Sequence, residues 1–502
     1  MFGEPRQRVL TLAAVPIYVA EFLFRTYVTR IIPQYPIFHE TQVEDAFRGV
    51  FGQPASGPIV DANLDGRDVF VVSIILAISL STAARVKHKR AHALATGLFR
   101  NAVLRASAAL TNDLPGLQAL LLLIQYAFLD PAIANLWLLT GLSSEACIDM
   151  GLHRELPPSA GLDVLQRDLR RRVFWCAWEM EVAVSAAFHR PLRTQPTCID
   201  VSFPSEFDDH AITEVTIDTT ARRTKAVSRR IWLFRQVEAS IISVLYQEGP
   251  LPEGMTLETW MTNADKEINE WKLEVHRAAE QYQDDAGASS QWKEMELYAN
   301  IASMWILVQL YRPCPRIKAP DRTNLAKAAT AAVQVANGYW EQQTTQFGYL
   351  KYVFHPCHHV FSSALVFLQA LQHSQANMAA LYSLEEIAEQ ANSFPRFFTT
   401  IAERWPAAAR CSEEYDRLLG PIQEEFSNFV RRSEASTWAS ALSDNSDGAM
   451  EIRPDLSDSL NTWPMMYTSM HSAGFDSIDP SWSVPYDWDD EFAFGIELES
   501  LT

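Results

Sequence analysis

The apolar residues of this 502-residue chain recur every three or four positions, and that period commits it to helices. Leu165, Leu169, Val173, Cys176, Ala177, Met180, Val184 and Phe188 fall on one helical face, with Asp163 placed to cap its start and Pro191 marking its exit. A second stripe joins Leu117, Leu120, Leu121, Ile124 and Phe128, while Gln118 and Gln125 lie off it. Further helical patterns run through residues 228–246, 257–282, 292–311, 324–340, 360–371 and 407–430, separated by polar connectors at 205–220 and 283–290. No stretch alternates as a half-buried strand does, and no repeat of roughly 20 to 50 residues appears. The expected fold class is all-α, a large multi-helix domain.

Hydrophobic residues make up 48% of the chain and charged residues 21%, enough for a large core. A formal charge of −19 and a pI near 5.1 weigh against contact with phosphate backbones, since a nucleic-acid binder concentrates Lys and Arg to displace counterions. DNA is therefore expected to be reached only indirectly. Residues 69–84 and 114–129 are strongly apolar but shorter than the roughly 20 residues that cross a bilayer, so both read as buried helices and no membrane contact is expected. The apolar run 9–20 follows Arg6 and Arg8 in the manner of a secretory leader. It holds Pro16, lacks a small-x-small cleavage site and continues through Glu21, Phe22, Leu23 and Tyr27 as an amphipathic helix, so it is expected to join the core.

Composition shifts after Arg432: Ser, Asp, Pro and Trp replace the helical stripes, and no Lys or Arg follows Arg453. This acidic C-terminal tail is expected to be disordered in isolation. Its end interleaves Trp482, Tyr486, Trp488, Phe492 and Phe494 with carboxylates, whose repulsion keeps the rings solvated and free to dock into a partner's apolar groove. The plainer reading is a solvated tail without a specific role. The organisation read from the sequence is a short N-terminal tail (1–14), a helical domain (15–432) and the acidic, aromatic tail (433–502).

The most informative stretch is 137–204. Gly151 can end a helix in the left-handed region, with His153 and Arg154 in reach of the last carbonyls. Arg170, Arg171 and Arg172 come early in the next helix, where the dipole disfavours cations, so acidic partners are expected among Glu145, Asp149, Glu179 and Glu181. In order, Trp137, the turn Met150-Gly151-Leu152-His153-Arg154, the basic triplet with Phe174 and Trp175, Arg190-Pro191, and Ile199, Asp200 and Pro204 resemble the middle homology region of fungal binuclear zinc-cluster transcription factors. Tyr27, the run Pro33-Gln34-Tyr35-Pro36-Ile37-Phe38-His39, then Leu310-Tyr311-Arg312-Pro313 and Arg404-Trp405-Pro406 extend the resemblance over residues 15–430. His189 stands where that family favours Gly, and Glu181 where it favours Asp; the first puts the local turn geometry in question.

The resemblance implies a nuclear regulator of transcription, controlling a metabolic or secondary-metabolite gene set, with its motif residues serving as scaffold. It implies homo- or heterodimers with related regulators and a small-molecule effector, and it makes the tail an activation segment that recruits the transcription machinery. The family's zinc cluster uses six closely spaced cysteines; here Cys147, Cys176, Cys198, Cys314, Cys357 and Cys411 are scattered. No cofactor is therefore expected in this chain, and zinc only if a cluster lies upstream of it. The chain is expected to be either a regulator lacking a DNA-binding module, acting through partners, or the product of a gene whose first exon is missing.

Other chemistry finds less support. Asp149 and His153 with Ser143 or Cys147 could be drawn as a catalytic group, which would make the chain a helical enzyme acting on an apolar small molecule; no GxSxG elbow accompanies them. His355, Cys357, His358 and His359 are the densest potential metal ligands, but consecutive residues diverge by about 100° around a helix. No Walker or Rossmann glycine motif is present. The basic runs 85–92 and 222–230 could serve nuclear import or be solvated helix faces.

Overall fold

The computed structural model describes residues 9–52, 64–83, 88–284, 288–344 and 352–440, and every structural statement below concerns these. Helices α1 (Ile17–Thr26), α2 (Glu40–Phe51), α3 (Gly66–Ala83), α4 (His88–Val103) and α5 (Ala106–Ala109) form the N-terminal part. Helices α6 (Leu114–Leu129), α7 (Leu136–Asp149), α8 (Val164–Phe188) and α9 (Ala226–Ile241) follow. Then come α10 (Leu257–Gln281), α11 (Ser289–Tyr311), α12 (Arg322–Thr344) and α13 (Phe354–His373), and finally α14 (Gln375–Leu381), α15 (Leu384–Ala402) and α16 (Ala409–Ser440). Helices α1 and α9 each run on into one π-helical turn, Tyr27–Ile31 and Ile242–Tyr246. Among the described residues there is no strand, only one isolated bridge between Ile212 and Ile217 in the long α8–α9 connector. The all-α expectation holds.

Most helices pack on their sequence neighbours: α3 on α4, α6 on α7, α7 on α8, and α10, α11, α12 and α13 one upon the next. Helix α8 is central, because it also meets α6, α9 and α13 and is buried from Val173 to Phe188. Its start follows from local chemistry. Asp163 accepts from the Gln166 amide at 2.7 Å while the Gln166 side chain returns to the Asp163 N–H, a capping box that satisfies two orphan donors. Helix α3 is long and apolar enough to cross a membrane, yet 13 of its residues are buried inside the protein, as befits a helix hydrophobic on all sides. Pro16 does not interrupt the first helix but immediately precedes it, where a missing N–H costs nothing.

Helices α2, α4, α5, α14 and α15 lie outside the sequence-derived set. For α15 the signal was present: Ser383 and Glu386 form a capping box ahead of Ile387, Phe394, Phe397 and Phe398. The expectations for Trp482, Tyr486, Trp488, Phe492 and Phe494, and for the tail beyond residue 440, lie outside the described residues.

Candidate functional site

The Gly151 turn ends α7 as its sequence predicts. Gly151 takes φ +62°, Leu152 N–H bonds back to the Cys147 carbonyl at 2.8 Å and Gly151 N–H to Ile148 at 3.0 Å, the paired bonds of a Schellman motif. Leu152 is buried beneath it. The cation on the terminal carbonyl is neither His153 nor Arg154: Arg170 donates to the Met150 carbonyl at 2.9 Å. Arg154 instead pairs with Asp200 at 3.3 Å, and Asp200 also accepts the Glu155 N–H at 2.8 Å, so the turn is tied to the segment entering Pro204.

The basic triplet separates by helical rotation. Arg171 faces outward and shares Glu155 with Arg167, at 3.0 and 3.2 Å. Arg172 points inward with no exposed side-chain surface and bonds Asp168 and Asp209, each at 2.6 Å. Lys225 joins Asp209 at 2.6 Å. Arg172 and Lys225 balance Asp168 and Asp209, two cations against two anions, every side chain at most 2% exposed. Backbone groups complete the knot: Glu40 N–H donates to Asp209 at 2.8 Å, Ser205 N–H to Asp168 at 2.6 Å, Arg172 to the Phe38 carbonyl at 3.4 Å and Lys225 to that of Phe207. The α2 start, α8, the segment after Pro204 and the α9 start thus meet around the Asp209 carboxylate, which Arg172, Lys225 and the Glu40 N–H share.

Burial alone would raise the Asp209 pKa, but Arg172 and Lys225 overcome it and hold the carboxyl well below the usual range. Glu40 goes the other way, pushed up to about 7 by burial and by Asp209 and Asp208. The partners anticipated for the triplet are corrected by this geometry. Glu145 and Asp149 are exposed on the outer face of α7, and Glu181 accepts instead from Ser144 at 2.8 Å and from the N–H groups of Arg193 and Thr194. Glu179 is buried with neither oxygen in hydrogen-bonding geometry, and burial raises its pKa to about 7 against the pull of Arg235, Tyr35 and Trp232. Of the true partners, Asp168 was legible as an i,i+4 pair with Arg172. Asp209, 37 residues from Arg172, was not.

At the far end of α8, His189 adopts the left-handed conformation, φ 51°, that the family glycine would take without strain. Its ring stacks on Tyr246, 5.0 Å between centroids, and its Nε2 meets Arg312, so tertiary contacts hold the strained residue. Arg190 and Arg193 lie over the Trp137 ring at 4.9 and 3.8 Å, while Pro191 is exposed. Phe174, Trp175 and Pro204 are buried, and Trp175 Nε1 donates to the Ser202 carbonyl at 3.0 Å.

The groups considered for catalysis are turned to other tasks. Ser143 is buried and donates to the Thr140 carbonyl at 2.9 Å, Cys147 is buried with its pKa driven up by burial, and Asp149 faces solvent. His359 bonds the Tyr339 hydroxyl at 2.7 Å and stacks on Trp305, Cys357 lies 3.8 Å from Cys411, and among the described residues no three His, Cys, Asp or Glu side chains are placed to hold a metal. In the second basic run, Lys225 is buried and Arg229 and Arg230 are paired with Glu206 and Glu274, so these three are committed internally.

Residues 25–273, which contain this whole arrangement except the last part of the helical body, match the family model of the fungal specific transcription factor domain. The chain is similar to pyrimidine pathway regulatory protein 1 of Saccharomyces cerevisiae, 28% identical over 213 residues, 40% of this chain and 23% of that protein. It is also similar to the positive regulator of purine utilization of Emericella nidulans, 21% identical over 374 residues, 60% of this chain and 34% of that protein. The match to the equisetin cluster transcription factor of Fusarium heterosporum is 26% over 116 residues, 23% of this chain and 16% of that protein. The chain therefore spans between about a quarter and a third of the length of the first two relatives. A solved structure, the K. lactis CBF3 core, superposes at a TM-score of 0.49 with 12% identity, covering 84% of this chain and 89% of that one. The chain thus carries the fungal specific transcription factor domain over residues 25–273.

Proposed function

We propose that this protein regulates transcription in the nucleus, activating a metabolic or secondary-metabolite gene set, with the helical body as a platform that relays an effector or partner signal. The observation that carries the reading is the domain match over residues 25–273, supported by relatives named for pyrimidine, purine and equisetin-cluster control. In the body, the polar motif residues are spent on joining segments to each other, which favours a scaffold over an enzyme. DNA is reached through a zinc-cluster module or through a related regulator in a homo- or heterodimer, because five of the six cysteines here are buried in the helical body and none belongs to a closely spaced run of six. No resident cofactor is assigned to the chain.

The acidic tail is the activating part, through Trp482, Tyr486, Trp488, Phe492 and Phe494. Residues 454–502 fused to an unrelated DNA-binding domain should switch on a reporter, and changing Trp482, Trp488 and Phe492 to Ala together should silence it. A fusion that is inactive while well expressed would remove the activation role.

A further inference from the structure

We propose that the depression between the Gly151 turn, the loop 155–162 and α8 binds the oxyanion of a small organic acid, a phosphate monoester or carboxylate with an apolar body. The site adds a ligand class to the sensing role proposed above, and binding to the purified chain tests it apart from any effect on transcription.

The depression is lined by Arg154, Arg167, Arg170 and Arg171, with Glu155 the sole carboxylate among its lining residues. Counting Asp200, which Arg154 engages, four cations face two anions in a chain whose overall charge is −19. Glu155 is already shared by Arg167 and Arg171. Arg170 makes no ion pair: one nitrogen holds the Met150 carbonyl, and burial lowers its pKa with only Glu155 opposing. A half-buried guanidinium whose nearby carboxylate, Glu155, is already paired with two other arginines keeps its remaining donors for an incoming phosphate or carboxylate.

The shape limits what can enter. The depression is open to solvent on one side and has room for one water-sized group, about 10 Å³, so an oxygen of the acid fills it and the rest of the ligand stays outside. The half-buried Leu156 and Leu162 line the same depression and give that outer part apolar contact. Two glycines with positive φ, Gly151 at +62° and Gly161 at +73°, bracket the loop and set its course. An oxyanion there would join the α7 end, the loop and α8.

The test is calorimetric titration of the full chain at constant ionic strength with hexyl phosphate, hexanoate and inorganic phosphate. One-site binding of hexyl phosphate or hexanoate, tighter than inorganic phosphate, is expected, and whichever binds more tightly names the acid. Arg170→Gln should weaken it about tenfold or more, the loss of a charge-assisted contact, whereas Arg48→Gln, at an exposed surface position on α2, should not. Should Arg170→Gln fail to fold, Leu162→Asp, which adds a carboxylate at the rim, is expected to abolish binding. No saturable heat with any probe, inorganic phosphate binding as tightly as its hexyl ester, or unchanged affinity in a folded Arg170→Gln or Leu162→Asp protein would overturn the proposal.

Discussion

Arg171 and Arg172 are neighbours of identical chemistry, and the protein treats them as opposites. Arg172 lies in the interior with no exposed side-chain surface, and its two aspartates are each 2.6 Å away. Arg171 lies at the edge with its side chain 25% exposed, sharing one glutamate with Arg167. One residue of helical rotation, about 100°, produces the difference. The lesson concerns cost: a desolvated ion pair is worth little against an apolar substitute, yet losing one partner strands the others, whereas a solvated pair can be dismantled cheaply.

The contrast can be broken by substitution. Arg172→Met should lower unfolding free energy by about 3–5 kcal/mol, since Asp168 and Asp209 then remain buried with Lys225 alone to balance them. Arg171→Met should cost under about 1 kcal/mol. Urea denaturation of both variants measures this, and equal losses would erase the distinction.

Asp209→Asn should cost about 2–4 kcal/mol at neutral pH, because Arg172 and Lys225 then remain buried with Asp168 alone to balance them. Acid sharpens the point. The folded state holds the Asp209 carboxyl well below its ordinary pKa, so its contribution is complete above the unfolded value of about 4 and falls away as pH drops toward the folded one. The gap between wild type and Asp209→Asn should therefore narrow below about pH 4. A gap that stays constant through that range would mean Asp209 does not stabilise as an anion.

Gly151→Ala should cost about 1 kcal/mol, because φ +62° is strained for alanine although no atom lies within 4 Å of the added Cβ. Thermal unfolding would detect it, and no change would show that the turn relaxes freely.

Much of this fold was readable beforehand because its signals are local. The α8 stripe, the Asp163 cap and the Gly151 turn each depend on residues within a few positions of one another. The Arg172 knot was only half legible. Asp168 sits one turn away on the same helix, but Asp209 and Lys225 lie in the connector after Pro204, and nothing in their own sequence marks them for burial. The prior expectation favoured Glu145, Asp149, Glu179 and Glu181, which are nearer in sequence or on motif helices; chain crossing decided otherwise. Helix α2 escaped notice because its cap is a histidine, His39, an unusual N-cap residue. The left-handed His189 was flagged as a departure from glycine, while the stacking of Tyr246 that holds it comes from 57 residues on, beyond any local pattern.

The most direct test of the scaffold reading is a pair of double-mutant cycles in the full chain, Arg172 with Asp209 and Arg171 with Glu155, read by urea unfolding. The account predicts a coupling of at least about 2 kcal/mol for the first pair and under about 1 kcal/mol for the second. Couplings of similar size, or a first cycle near zero, would contradict the claim that α8 is held to the α2 start and the α9 start through the buried Arg172–Asp209 pair.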